Sequence, residues 1–499
     1  MPVCYTDSIT ESHKNRQAGR IGRRRVRLSG ERGRRVEKVK KKRSRGQRVL
    51  SLLLAAVMFC GLWSFSGASV SEVYGAESLK PEAPALEGFL APVTQKTEVP
   101  DGYTGIYTAA QLMAIENAPD QNYILMADLD LSSYIWEPLC SSDLPFTGIF
   151  EGNGHVISNL NGKNGLFSNI DEAQIRNVGL EHAYIYGAYD NQWQGTMAGI
   201  VVYAGSRSTV YNCYYQGDIE GNPLIIGGIA GNASSKLADL TVEDCWMKGD
   251  ILSTNSGSSY YEPFAGGIVG GDSTAVINGC IHDGAIETHG YAAYAGGIFG
   301  QGESEISYCQ NYATTTHYYK HGDVGGITSA IGDGTIEYCM NAADLTVVKD
   351  TRYNNASIGG LSANGKDIRH SFNCGNITAA GASYAGGISG QGNADYCYSV
   401  GTVLSEDPGS ASADSDYNGA GALFGKTGGD SSHCYYLEGE LGPYSSVDGS
   451  PVLTDITALS ESEMRDPSNF KGFNFGAVWQ MGLLESWKVQ YTPKTPEDV

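Results

Sequence analysis

The sequence predicts an all-β protein, built as a right-handed, single-stranded parallel β-helix with a cap at each end. Two columns of residues recur about every thirty residues through most of the chain. No long amphipathic helical segments separate them, and the connections are rich in Gly, Asn, Ser, Asp and β-branched residues. This pattern is typical of a solenoid, because units of this size bury their apolar faces only by stacking on one another.

The first column is a Gly-Gly-Ile tripeptide or a close variant of it. Its eight copies start at intervals of 29, 39, 30, 29, 34, 27 and 35 residues. They are Ala198–Ile200, Gly227–Ile229, Gly266–Ile268, Gly296–Ile298, Gly325–Ile327, Gly359–Leu361, Gly386–Ile388 and Gly421–Leu423. We expect the glycines to provide either a positive φ or a tight corner, and the third residue to point into the core as part of an Ile ladder.

The second column consists of cysteines that follow the glycines in seven of the eight units. They are Cys213, Cys245, Cys280, Cys309, Cys339, Cys397 and Cys434. In the sixth unit Ser371 takes the column position, which leaves Cys374 out of register. Because there is no CxxC pair and every member occupies an equivalent position, we favour buried free thiols over disulfides between neighbouring columns or metal ligands.

The N-terminal segment has the pattern of an export signal. Of the 34 Lys and Arg residues, 17 lie before residue 50, and an apolar run from Val49 to Phe59 follows directly. Small residues then lead to Ala76, so residues 1–76 are predicted to be a basic leader with a signal peptide, or alternatively an uncleaved membrane anchor. Cleavage would place the mature N-terminus near Glu77 and the protein outside the cell or on its surface.

The charge of the remaining chain restricts its partners. Residues 77–499 contain 17 Lys and Arg against 50 Asp and Glu, a formal charge of −33. Such a surface repels polyanions, which excludes nucleic acid and disfavours anionic lipids and acidic glycans. We therefore expect neutral or cationic partners, such as host or microbial glycans or glycoproteins, and contact with a membrane only through an uncleaved leader.

The predicted domain order follows from these columns. Residues 77–101 form a Pro-containing linker, 102–197 an N-terminal cap with the first coils, 198–437 the repeats, and 438–499 a C-terminal cap and tail. Helical spacing is present in Tyr107–Ile115, and a strand is predicted over Tyr123–Leu131. Ser460 and Glu463 form a capping box for a short helix, after which aromatic residues from Phe470 to Trp479 are expected to cover the last coil.

Several of these segments resemble bacterial surface proteins that carry the GLUG motif, a repeat also found beside the catalytic part of metallopeptidases that cut immunoglobulin A. The resemblance covers roughly Tyr103 to Trp479. It rests on Ile124–Leu131, Phe146–His155, the Gly-Gly-Ile column and Asn469–Phe475. It implies a pectin-lyase-like right-handed β-helix with an extracellular adhesive or accessory role, and the motif itself describes a coil rather than a site.

We predict no catalytic, cofactor-binding or metal-binding residues and no cofactor. A zinc peptidase needs HExxH, whereas the closest spacing, His317 to His321, has no Glu. No G-x-S-x-G elbow is present.

The main alternative is a polysaccharide lyase or glycoside hydrolase with a site in the longer loops, 252–263 or 405–418. We expect most acidic residues to be solvated; examples are Asp218, Glu243, Asp244, Asp250 and Asp283.

Paired tyrosines are the most suggestive surface feature of the sequence. They are Tyr214–Tyr215, Tyr260–Tyr261, Tyr318–Tyr319 and Tyr435–Tyr436. A line of exposed rings could stack on sugars or form a protein-binding surface, but we favour rings packed along the outer sheet or under loops.

The overall prediction is an exported, non-enzymatic adhesin or ligand-binding scaffold. A non-catalytic accessory module of a surface peptidase system remains a second alternative.

Overall fold

The computed structural model describes residues 80–489, apart from residues 82, 86–91, 190–194, 234–239, 255–261, 272, 291, 319–320, 349–354, 381–382, 407–418, 476–478 and 481–487. The predicted leader, residues 1–76, lies outside the described residues. Within the described part of the chain, no helix is long and apolar enough to cross a membrane.

The predicted parallel β-helix is confirmed, because strands of successive coils pair in parallel. Each complete coil has three faces, which we call A, B and C. Face A is an eight-stranded sheet whose strands end at the glycine turns. Its strands are Thr196–Ala198, Ile225–Gly227, Phe264–Gly266, Ala292–Gly296, His321–Gly325, Asn355–Gly359, Ser383–Gly386 and Gly419–Gly421.

Face B follows the glycine turn in each coil. Its strands are Ile149–Glu151, Phe167–Ile170, Gln174–Arg176, Val201–Ala204, Thr209–Tyr211, Ala230–Ala233, Leu240–Glu243, Ser273–Asn278, Phe299–Ser307, Thr328–Ile331, Thr335–Glu337, Ser362–Arg369, Ser389–Asp395, Phe424–Thr427 and Tyr444–Val447. Three of these, Phe167–Ile170, Val201–Ala204 and Ala230–Ala233, form a separate small sheet.

Face C completes the coil and leads back to face A. Its strands are Val156–Ser158, Asn161–Gly162, Gly179–Gly187, Tyr214–Gly221, Trp246–Ser253, Ile281–His289, Gln310–Asn311, Thr314–Tyr318, Met340–Asn341, Leu345–Val348, Phe372–Asn373, Ile377–Ala380, Tyr398–Ser399, Val403–Glu406, Ser431–Leu437 and Leu453–Leu459. The last two strands begin on face B and pass through the corner between the faces.

The chain ends carry the few other elements. Strands Tyr103–Ile106, Asn122–Leu125 and Leu129–Asp130 start the solenoid, with an α-helix at Ala109–Met113 and a 3-10 helix at Ala114–Asn117. After the last coil come an α-helix at Glu461–Met464, a 3-10 helix at Pro467–Asn469 and an antiparallel pair, Trp479–Gln480 with Lys488–Val489. The capping box of Ser460 and Glu463 is confirmed.

The turn glycines are required by close approach of the backbone. A Cβ on Gly296 would lie 1.9 Å from the carbonyl oxygen of Phe299, and one on Gly297 would lie 2.2 Å from that of Gly326 in the next coil. Neither glycine has a positive φ. The tight corner is therefore the correct alternative, and the following Ile298 is buried as predicted.

The seven cysteines of the column are buried in the interior. Each thiol lies near two carbonyl oxygens, one two residues earlier and one in the preceding coil. For Cys245 these are the oxygens of Glu243 at 3.1 Å and Val210 at 3.6 Å. A small side chain that is apolar and also a weak donor suits this position, which explains why Ser371 can replace Cys.

The corner between faces B and C is made by one left-handed residue in each coil. The first such residue is Asn177. From Asn212 onwards, the left-handed residue directly precedes the position of the cysteine column. The ten members have φ between 46° and 63°: Asn177, Asn212, Asp244, Gly279, Tyr308, Tyr338, His370, Tyr396, His433 and Asp455. Asn, Asp and Gly adopt this conformation readily, whereas Tyr does so at a cost that its surroundings must offset.

An asparagine ladder runs through the interior two residues after the cysteine position. Asn311 donates to the Oδ1 of Asn341, and Asn341 donates to that of Asn373, both at 2.8 Å. Asn373 in turn donates to the hydroxyl of Ser399 at 3.3 Å. Each Asn also bonds the backbone two residues later, so these buried amides are satisfied.

The C-terminal segment packs on the side of the solenoid, which corrects the prediction that it covers the last coil. Phe470 and Phe473 lie against Tyr435, with ring centroids at 4.9 Å and 5.6 Å. Trp479 contacts Phe372, which lies two coils before Tyr435. These partners point outward from face C, because they alternate along each strand with residues that point into the core.

The predicted linker also lies along the solenoid. Lys80 forms an ion pair of 2.6 Å with Asp344, on face C of a late coil. Further along the linker, the backbone N–H of Lys96 donates to Asn153 in an early coil. The linker residues that the structure describes therefore contact coils that are far apart in sequence.

Candidate functional site

His317 and His321 have the spacing closest to HExxH but were not predicted to bind a metal, and only one of the two side chains is described. His317 is fully buried, and its Nδ1 lies 2.9 Å from the hydroxyl of Thr288 in the preceding coil. The side chain of His321 is outside the described residues. Among the residues described, no group of three or more His, Cys, Asp or Glu side chains is arranged to hold a metal ion.

The acidic examples from the sequence divide into two groups. Asp218 and Asp250 are exposed on face C, as expected, and Asp283 is half-buried. Glu243 and Asp244 are buried, at 5% and 0% exposure, so the expectation of solvated carboxylates is wrong for these two. Most of the two candidate loops, 252–263 and 405–418, lies outside the described residues, which omit 255–261 and 407–418.

The favoured interpretation of the tyrosine pairs as packed rings is confirmed where they are described. Tyr215 is fully buried, while Tyr214 is half-buried and donates to Glu181 at 2.7 Å. Tyr435 and Tyr436 are buried as well. Tyr318 is half-buried and stacks on His289 at 4.8 Å. The remaining members, Tyr260, Tyr261 and Tyr319, lie outside the described residues.

A line of partly exposed rings exists instead at the corner between faces B and C. Tyr308, Tyr338, His370, Tyr396 and His433 stack in this order, with centroid separations of 4.8, 5.2, 5.0 and 4.6 Å and interplanar angles of 20° or less. We call them the ring column. Stacking in register explains the regular spacing, which equals that of adjacent strands.

The ring column offers ring edges to solvent. The faces of Tyr338, His370 and Tyr396 are covered by their neighbours in the stack. At its C-terminal end, Gly472 lies against Tyr396 and His433. Burial and the adjacent Glu337 raise the pKa of Tyr338 to about 12. The column therefore suits a structural role better than a role in stacking on a ligand.

Partly exposed aromatic rings are also found on face C of the early coils. Tyr184 and Tyr186 project outward from the strand Gly179–Gly187 and are 39% and 45% exposed. Their rings stack at 5.6 Å with an interplanar angle of 23°. This pair was not among the predicted surface features, although the Tyr-x-Tyr spacing places both rings on one side of a strand.

Carboxylates surround the tyrosines on the same flat surface. Tyr184 is in register with Asp218 of the next coil, and Tyr186 with Glu220. The Tyr184 hydroxyl donates to Glu220 at 2.9 Å. Asp218 accepts the backbone N–H of Asp250 at 3.0 Å. We call Tyr184, Tyr186, Asp218, Glu220 and Asp250 the open face.

The electrostatics of the open face are negative. Burial and the charge of Asp218 raise the pKa of Asp250, while a hydrogen bond from the backbone of Ala285 opposes this. Among the described residues, no Lys or Arg pairs with Asp218, Glu220 or Asp250. The surface can therefore accept hydrogen bonds and attract cations, and its rings can stack on an apolar ligand face.

The fold and this surface define a parallel β-helix with an open aromatic and acidic face. No family model matches the chain. Halomucin from Haloquadratum walsbyi is 34% identical to it over 154 residues, which is 26% of this chain and 2% of that protein. The chain therefore spans a very small part of this curated relative.

Two solved structures are similar to the chain. A putative immunoglobulin A1 protease from Bacteroides ovatus has 19% identity and a TM-score of 0.32, covering 78% of this chain and 92% of that one. An IgA1 protease has 16% identity and a TM-score of 0.34, covering 52% and 21%. At these values the likenesses carry no argument about function.

Proposed function

We propose that the protein is an exported, cell-surface or secreted β-helix scaffold that binds glycans or glycoproteins and acts as an adhesin without catalysing a reaction. The observation that carries the proposal is the exposed, stacked pair Tyr184 and Tyr186. Exposed aromatic rings bind sugars and protein partners, because they bury a large apolar area at low entropic cost.

The surroundings of the pair support a binding role. The strand Gly179–Gly187 is hydrogen-bonded to strands on both sides, so the rings stand on a rigid surface. The leader pattern of residues 1–76 supports export, and the segment similar to halomucin supports a surface or secreted location.

The test is retention of purified residues 77–499 on immobilised mucin, host glycoproteins and plant and microbial glycans. We expect saturable retention that is lost in the variant Tyr184→Thr/Tyr186→Thr, because Thr keeps strand propensity and removes the rings. Tyr444→Thr is the matched control, since Tyr444 has 38% exposure and lies on face B at the C-terminal end of the coils. Circular dichroism checks that each variant is folded.

The enzyme alternative is tested in the same assay by measuring released oligosaccharide. Carboxylates beside exposed rings are the observation that favours it, because glycoside hydrolases use paired carboxylates. Release of product that stops after Asp250→Asn would replace the adhesin proposal by a hydrolase. Retention of the wild type that is unchanged in the double tyrosine variant would contradict the role of the tyrosines.

A further inference from the structure

We propose that the open face selects polysaccharides that carry free amino groups, such as chains of glucosamine units. This inference rests on the proposed function and names the chemistry of its ligand. Three properties of the surface lead to it: partly exposed tyrosine rings, carboxylates on adjacent coils that pair with no Lys or Arg among the described residues, and a central strand that is paired on both sides.

The tyrosines provide contacts for the apolar side of a sugar ring. Tyr184 and Tyr186 lie on one strand, and their rings are separated by 5.6 Å. A pyranose presents C–H groups on one side and hydroxyls around its rim. The C–H groups can pack on the tyrosine rings while the hydroxyls donate to the neighbouring carboxylates.

The carboxylates add a preference for positive charge. Asp218 and Asp250 occupy adjacent coils, whose strands are ~4.8 Å apart. The backbone N–H of Asp250 donates to the carboxylate of Asp218, which fixes the position of that carboxylate. An ammonium group placed between these coils can reach both carboxylates. Lys248, the closest Lys in sequence, is held by Asp283 at 3.1 Å, and within the described part of the chain no Lys or Arg pairs with Asp218 or Asp250.

The flat surface favours a polysaccharide over a basic peptide. Peptides are recognised at free sheet edges, in apolar grooves or in aromatic-lined grooves. The strand Tyr214–Gly221 pairs with Gly179–Gly187 on one side and with Trp246–Ser253 on the other, so the strand that carries Asp218 and Glu220 has no free edge. An extended sugar chain needs only a surface.

The experiment compares two ligands of equal length, oligomers of glucosamine and of N-acetylglucosamine, by titration calorimetry with residues 77–499. We expect the glucosamine oligomer to bind on the order of tenfold more tightly, as for two surface ion pairs at the upper end of their range, and the difference to shrink at high salt. The variant Asp218→Asn/Asp250→Asn should remove the preference while keeping the shape of the surface.

Glu438→Gln/Glu440→Gln is the matched control, because it removes two exposed carboxylates outside the open face. It should keep the preference for the glucosamine oligomer. Equal binding of both oligomers, or a preference that survives Asp218→Asn/Asp250→Asn, would overturn the inference and leave the proposed function standing. Equally tight binding of polylysine would overturn it in favour of general attraction of cations. Absence of binding to every glycan and glycoprotein tested would refute the proposed function itself.

Discussion

Single residues in this protein are chosen by the conformation and the packing of their place in the coil. His282 occupies the same interior position as Asn311 of the asparagine ladder, one coil earlier. It is fully buried, and its Nδ1 lies 3.0 Å from the carbonyl oxygen of Gly297. Burial lowers the pKa of His282 to about 4, although hydrogen bonds with the backbone of Gly297 and Gly249 oppose the shift.

His282 should make the protein less stable in acid. Its folded pKa of about 4 lies below the ordinary value of 6.5, so the unfolded chain binds a proton first as the pH falls. The free energy of unfolding should therefore decrease between about pH 6.5 and pH 4, by roughly 3 kcal/mol from this residue. Urea unfolding at pH 7 and about pH 4.5 measures the change.

The control for this prediction is His282→Asn, which removes the titrating group. Asn311 shows that this interior position of the asparagine ladder accepts Asn. A new amide at residue 282 can bond the backbone of Gly284, as Asn373 bonds Gly375. The variant should lose less stability between the two pH values than the wild type. An identical loss in both proteins would contradict the role of His282.

At the scale of elements, the coil depends on a turn that leaves no room for a side chain. In seven of the eight turns the second residue is a glycine that meets the backbone of the equivalent residue in the next coil and an interior side chain, whereas the eighth turn has Ala422 at this position. At Gly297 a Cβ would lie 2.2 Å from the oxygen of Gly326 and 2.3 Å from Asn311. Because the same contacts repeat in each coil, one methyl group disturbs two coils at once.

Gly297→Ala should therefore destabilise the protein strongly, by about 3 kcal/mol or more, since overpacking against a backbone oxygen cannot be relieved by a rotamer change. Gly439→Ala is the matched control, because nothing lies within 4 Å of the added methyl group. The urea midpoint and the yield of folded protein are the measurements. Equal midpoints for the two variants would show that the turn can expand.

At the scale of the molecule, the C-terminal segment completes the outer surface of the late coils. Phe372, Tyr398 and Tyr435 form an apolar stripe on the outside of face C, and Phe470, Phe473 and Trp479 cover it. All six are buried. The stripe would be an exposed apolar patch without this segment, so the cover protects it from association with other molecules.

Phe470→Ala/Phe473→Ala should detach the segment without unfolding the solenoid, because the coils retain their own core and strand pairing. We expect binding of an apolar fluorescent dye to rise while the far-ultraviolet circular dichroism stays unchanged. Val447→Ala/Val452→Ala is the control, since these side chains are 45% and 62% exposed. Dye binding at the wild-type level in the Phe variant would contradict the covering role.

Much of the fold could be predicted because the repeat is visible in the sequence. The Gly-Gly-Ile and Cys columns fix the period, and their small or apolar residues indicate which positions are inside. The open face was not predicted, because Tyr184 and Tyr186 lie outside both columns and are not adjacent in sequence. Adjacent residues of a strand point to opposite sides, so residues two apart share a surface.

The sequence by itself determined the solenoid class, the buried cysteine column and the capping box at Ser460, because each depends on local spacing or on a repeat that stacks like residues on like. Only the tertiary structure decided that the turn glycines serve close approach, that Phe470 packs on the side of the coils, and that Tyr184 meets the carboxylate of Glu220. The physical reason is that these contacts join segments many residues apart, and the register between coils sets them.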